Sequence, residues 1–168
     1  MPLVHAQQPR ADSGFTLIEQ MITIAILALI AATGLPLTSA WIDQSKAGQA
    51  AAQIRNAYNK SRAWALRSNE AWLCLSNGSL YVFDQKPSAC TSTGARWQAE
   101  LAGGSSTRVL LGDVSSDSKT QPTDLSCLAF DNRGWPKTDS LGSTACADRS
   151  TSTITVVRGS AYVSSSLY

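Results

Sequence analysis

A chain of 168 residues is long enough for one domain plus an anchor, and its net charge of +2 is too small to hold nucleic acid by bulk electrostatics. The only histidine is His5, so the chain beyond it has none, which removes most routine acid–base, metal and triad chemistry. No enzymatic activity and no cofactor is expected.

The chain opens on a short polar leader, Met1 to Gly14, in which Arg10 is offset by Asp12. Gly14-Phe15-Thr16-Leu17-Ile18-Glu19 comes next, and from Gln20 to Ile42 no charge appears. That run is roughly the 20 residues a helix needs to span a bilayer. A removable secretory signal would be cut after a shorter apolar core, whereas here a cut at Gly14 would precede the run and leave it in the mature protein. Glu19 is then a carboxylate inside the span. A charge in hydrocarbon is costly, so it needs a partner. An amine is the natural one: cleavage after Gly14 gives Phe15 a positive N-terminus about one helical turn from Glu19. In an assembly a neighbour's amine would serve as well. Gly34 and Pro36 weaken the helix locally, because proline lacks a backbone donor and crowds the preceding turn.

Past Trp41 the pattern becomes amphipathic. Ala47, Ala51, Ile54, Tyr58 and Ala65 recur on one helical face, with Lys46, Arg55, Lys60, Arg62 and Arg67 interspersed. One helix from Phe15 to about Ser68 is expected. Then the period switches. Ala71 to Leu75 and Leu80 to Phe83 flank Asn77-Gly78, a strong hairpin signal. Arg108 to Leu111, Cys127 to Phe130, Ile154 to Val157 and Ala161 to Val163 are further strand candidates. A helix succeeded by strands argues α+β, with a small antiparallel sheet against the helix.

Cys74, Cys90, Cys127 and Cys146 all lie beyond the anchor, and none forms a C-x-x-C pair. An even count in an exported domain reads as disulfides, with three possible connectivities. Sequence-local pairing, Cys74 with Cys90 and Cys127 with Cys146, is expected, each worth on the order of 3 kcal/mol.

Gly14, Phe15, Thr16, Leu17, Glu19 and Pro36 together resemble the N-terminal region of type IV pilin-like proteins. The resemblance covers the first quarter of the chain; Gln20 stands where an apolar residue is usual. It implies that a prepilin peptidase cuts between Gly14 and Phe15 and methylates the new amine. It implies pairing of Glu19 during assembly, and a break at Gly34 and Pro36 that melts in a packed filament. Leu128 to Trp135, with its Phe130-x-x-x-Gly134 turn, and the late strand ending in Arg158-Gly159 are similar to minor pilins and pseudopilins of the GspH/FimT group.

The resemblance also implies a leader over 1–14, a transmembrane or filament-core helix over 15–41, and a helix plus disulfide-containing β-rich periplasmic head over 42–168. The precursor would be a single-pass inner-membrane protein, later built into a pilus. Its partners would be prepilin peptidase, other major and minor pilins or pseudopilins, and an inner-membrane assembly platform. A minor type IV pilin is the leading reading. The alternatives are a minor pseudopilin of a type II secretion system and a DNA-binding minor pilin for natural transformation.

Against the last, Arg55, Lys60, Arg62 and Arg67 read more simply as a solvated helix face. The C-terminal stretch that carries basic residues in DNA-binding relatives has only Arg158 here. Trp64, Trp72, Trp97 and Trp135 could stack on bases, but core packing is commoner. Asp113, Asp117 and Asp124 match no calcium-loop spacing and read as turn residues. Asn77-Gly78-Ser79 fits a glycosylation pattern that the hairpin turn already explains, and Ser164 to Ser166 gives no test of modification.

Overall fold

The structure is a computed structural model that describes residues 14–112, 123–148 and 152–167, without the side chains of 33–37. The chain divides into two units, residues 1–38 and 39–168. Helix α1, Leu17–Ser68, contributes to both and is helical through Gly34 and Pro36. The melting of that stretch therefore stays an expectation for the assembled filament.

In the second unit α1 buries Ala47, Ala50, Ala51, Ile54, Ala57, Tyr58 and Ala65. This is the apolar face that the helical period marks out. Its alanines keep the helix backbone close to what it covers, and Tyr58 meets Phe130 edge-on at 5.1 Å between ring centroids. The core beneath holds Leu73, Leu80, Val82, Leu128, Val109, Ile154 and Val156.

The strands are β1 (Ala71–Ser76), β2 (Ser79–Phe83), β3 (Trp97–Glu100), β4 (Arg108–Leu111), β5 (Thr123–Asp124), β6 (Cys127–Phe130), β7 (Pro136–Lys137), β8 (Ser140–Leu141), β9 (Thr144–Ala145), β10 (Thr153–Arg158) and β11 (Ala161–Ser166). The sequence leads one to expect a single sheet. Instead the strands form a five-stranded sheet in the order β3-β2-β1-β6-β7, a four-stranded sheet in the order β11-β10-β4-β5, and a β8-β9 ribbon. All named pairings are antiparallel. The division arises because β4 pairs with β10 rather than with the sheet of β1 and β2. Inner residues of both larger sheets enter one core with α1. This is the α+β arrangement, a long helix packed against antiparallel sheets, that the resemblance to pilins implies.

The β1–β2 turn is the expected one. Asn77 and Gly78 both have positive φ, 50° and 73°, and Ser76 pairs with Ser79. Gly78 has a second role, since the turn presses on the backbone of Gly104 and Ser105.

β1 is buried on both faces. Leu73 faces the main core; Trp72 and Cys74 join a second cluster with Phe83, Cys127, Ala129 and Cys146. Disulfides Cys74–Cys90 and Cys127–Cys146, with Cα separations of 5.6 and 4.7 Å, tie two loops over that outer face. Cys74 and Cys127 are cross-strand partners, so the two links stand side by side. Local pairing is thus what the structure has. Replacing Cys127 and Cys146 together by alanine is expected to cost about 3 kcal/mol, read from urea unfolding; a loss under about 1 kcal/mol would show that the loop holds without its link.

Candidate functional site

Gly14 is exposed, and an added Cβ there would meet nothing within 4 Å. Phe15 is 81% exposed. The Gly14–Phe15 peptide is therefore open to an approaching enzyme. The leader residues 1–13 lie outside the described residues.

The helix starts with Thr16 as its N-cap. The Glu19 N–H donates to Thr16 Oγ1 at 3.3 Å, and the Gln20 N–H donates to the Thr16 carbonyl at 3.2 Å. Thr16-x-x-Glu19 is thus half of a capping box, with Glu19 in the first turn where a carboxylate favours the helix dipole. This role of Thr16 is one that sequence reasoning missed, although the Thr-x-x-Glu spacing signals it. Phe15, Glu19, Gln20 and Thr23 line a shallow hollow. Glu19 is exposed there.

Leu17, Ile18, Met21, Ile22, Ile24, Ile26, Leu27, Leu29 and Ile30 are all more than half exposed. Apolar residues surround this segment of helix, so no single face of the chain itself covers them. That is the pattern of a helix that lipid or other helices must cover. Among the described residues no helix is long and apolar enough to cross a membrane, and the side chains of 33–37, inside the uncharged run, are outside that description.

In the second unit, the residues that resemble the GspH/FimT pattern fasten sheet to helix. Asp131 Oδ1 accepts the Arg133 and Trp135 N–H groups at 2.9 Å each, shaping the turn after Phe130. Gly134, at φ 73°, brings its carbonyl to Arg62 Nε at 3.0 Å, and the Arg62 guanidinium stands 5.2 Å from the Trp135 ring centroid. Near the middle of α1, Arg158 Nε donates to Asp43 Oδ1 at 2.9 Å and its Nη1 to the Gly103 carbonyl at 3.0 Å. Gln53 acts between them. Its amide nitrogen donates to the Glu100 carbonyl at 3.2 Å and its amide oxygen accepts the Ala102 N–H at 2.7 Å.

The basic residues considered for nucleic acid are mostly engaged in this fastening. Arg55 donates to Ser165, Lys60 stands over Trp97 at 5.4 Å, and Arg158 is held by Asp43. Arg67 is exposed near the end of α1. Trp72 is fully buried, with the Lys86 and Lys137 ammonium groups 5.0 and 5.7 Å from its ring centroid. Trp64, Trp97 and Trp135 are half-buried. Asp113 and Asp117 lie outside the described residues, and Asp124 is bound bidentately by the Arg108 guanidinium at 2.9 Å. Among the described residues no group of three or more metal-ligating side chains gathers.

Asp139 accepts Lys86 Nζ at 2.8 Å and the Ser140 N–H at 2.8 Å, with Lys137 Nζ at 3.5 Å. These donors, Lys86 first, hold its carboxyl below the usual carboxylate range. A lowered folded value means the contribution is present above the unfolded pKa of about 4 and is lost as pH falls through the folded value. Asp139→Asn is therefore expected to cost at most about 1 kcal/mol at neutral pH. That difference should vanish in strong acid; a difference that persists there would place the effect in packing.

These features define a class: a chain whose exposed N-terminal end leads into a capped helix with one carboxylate in its first turn and an apolar segment that needs cover. Residues 9–35 match the family described as the prokaryotic N-terminal methylation motif. The chain carries the N-terminal methylation motif of the type IV pilin and pseudopilin superfamily, which prepilin peptidase processes and whose members assemble with other pilins. The motif implies a structural rather than an enzymatic role, and a membrane-anchored prepilin that later enters a pilus. No curated protein matches the chain, and no solved structure does.

Proposed function

We propose that this chain is a minor type IV pilin: an inner-membrane precursor, cut after Gly14 and methylated at Phe15, that is built into a pilus or primes its assembly. The observation that carries this reading is the open Gly14–Phe15 junction one turn ahead of Glu19, on a helix whose apolar residues are exposed all round. Residues 15–41 would span the membrane and later form filament core. Trp41 stands 22 positions after Glu19. As α-helix those 22 steps rise about 33 Å, close to the ~30 Å hydrocarbon core.

Extraction from lipid is feasible only if neighbouring helices replace it around this segment. Glu19 would favour docking where a neighbour's N-terminal amine neutralises it. The two disulfides support a periplasmic and then extracellular head, since oxidising compartments keep such links. The minor role and the GspH/FimT grouping rest on the Phe130-x-x-x-Gly134 turn and the Arg158-Gly159 end of β10, which here fasten the head to its helix.

Fractionation tests the reading. Filaments sheared from native cells are expected to contain the processed chain in low abundance beside a dominant subunit. Processed chain confined to the membrane fraction would overturn incorporation into the pilus and favour an assembly primer or a type II secretion pseudopilin. DNA uptake is disfavoured because Arg158 is committed to Asp43 and the other cations are spread around the helix.

A further inference from the structure

Beyond residue 30, the large apolar side chains that stay exposed among the described residues are Trp41, Ile42, Leu66 and Tyr162. Trp41 and Ile42 stand near the start of the second unit, and Tyr162 stands on its C-terminal hairpin. Trp41 is 73% exposed, Ile42 41% and Tyr162 61%. Trp41 and Ile42 directly precede Asp43, which grips Arg158 at 2.9 Å. Gly159 is next in the chain, and it passes so close that an added Cβ would stand 2.8 Å from Asp43 Oδ2. Arg158 pairs with Ala161 across the turn, and Tyr162 is the next residue of β11, beside Val157. The long-range contact between Asp43 and the β10–β11 turn thus brings an aromatic residue from the C-terminal hairpin to the level of the two that end the apolar run.

We propose that this end of the head is a lipid-facing foot. In the precursor, Trp41, Ile42 and Tyr162 would seat in the headgroup region of the bilayer and fix how the head stands on the membrane before assembly. The proposal rests on the membrane-anchored reading above. Its occupant is lipid rather than protein for two reasons. Trp41 and Ile42 continue directly from the run that needs hydrocarbon cover, so these two residues are at the membrane surface whenever that run is inserted. Tryptophan and tyrosine have an apolar body and a polar tip, the combination that settles at the membrane–water interface. The Arg158–Asp43 pair closes charge on itself within the foot, with side chains 17% and 31% exposed, so seating the foot brings no unpaired charge from this pair toward lipid. Buried Ala161 and exposed Tyr162 alternate along β11 as a strand with one covered face requires. Tyr162 therefore projects from the covered core and is spare for an outside contact.

Brominated phosphatidylcholine, with the bromines near the headgroup end of the acyl chains, tests this on the full chain in vesicles. Wild-type emission is expected to be quenched through Trp41, and Trp41→Phe to lose that quenching. Adding Tyr162→Trp to Trp41→Phe is expected to restore it, at least about twofold above the Trp41→Phe chain. Quenching of Trp41 without quenching of the new indole at 162 would overturn the foot and leave the anchor intact. Absence of quenching even in the wild-type chain would overturn the membrane reading, and the foot with it. The exposure of Tyr162 makes the exchange to tryptophan mild, and an unchanged urea midpoint checks that the head is folded.

Discussion

Gly78→Ala is expected to cost about 3 kcal/mol, or a fall of about 10 °C in Tm. Gly78 sits at φ 73°, and its added Cβ would stand 2.3 Å from Gly104 C, 2.4 Å from Ser105 N and 2.6 Å from Gly104 O. Those are backbone atoms, which cannot swing aside as a side chain would. Relief requires the β1–β2 turn to lift away from the 3-10 turn at Gly104–Ser106. That turn leads into β4, so lifting it would disturb the approach of the two larger sheets. Gly94→Ala is the control. Its φ is 79°, yet nothing lies within 4 Å of the added Cβ, so only the backbone strain of about 1 kcal/mol remains. Urea unfolding of the two variants separates the contributions. Equal losses would mean that Gly78 is needed for its positive φ alone.

Glu19→Gln should leave cleavage and head stability unchanged but lower incorporation into filaments by at least about tenfold, because a charge pair in a low-dielectric core is worth several kcal/mol once one partner is lost. Glutamine keeps the length of glutamate, and the Glu19 N–H still caps on Thr16 Oγ1. The exchange therefore removes charge while sparing the helix start. A neighbour's N-terminal amine would then be buried beside a neutral amide. The readout is the ratio of variant chain in sheared filaments to variant chain in membranes. Parental incorporation by Glu19→Gln would reduce Glu19 to a capping residue. Loss in Thr16→Ala as well as Glu19→Gln would implicate the helix start rather than the charge.

The helix and the main strands were legible because their signals are local. Ala47, Ala51, Ile54, Tyr58 and Ala65 mark one face by spacing alone, and Asn77-Gly78 marks its turn by the φ values those residues tolerate. The nearest-neighbour cysteine pairing was legible for the same reason. Partner choice was not. Val109 and Val156 show which face is buried, but nothing in their alternation says that β4 joins β10 instead of β1. β3 escaped because Trp97-Gln98-Ala99-Glu100, although it alternates, is only four residues long and has no fully buried position, and β5 and β7 to β9 are two residues each.

The N-terminal motif is a run of adjacent residues, so it was legible whole, the capping role of Thr16 excepted. That role is written in the same Thr-x-x-Glu spacing, where the carboxylate of Glu19 is the stronger signal. Asp43 was invisible because its partner Arg158 is 115 residues away. Arg158 invites a reading as a ligand-binding cation, and only the fold shows that its guanidinium holds α1 to the β10–β11 turn.

Cleavage after Gly14 would expose an amine one turn from Glu19. Mass spectrometry of the N-terminal peptide of the chain purified from its native cells tests it most directly. The expected peptide begins at Phe15 and is one methyl group heavier than its sequence. A peptide in which the Gly14–Phe15 bond is intact in the membrane-bound protein would contradict the account, leaving an anchored domain with no route into a filament.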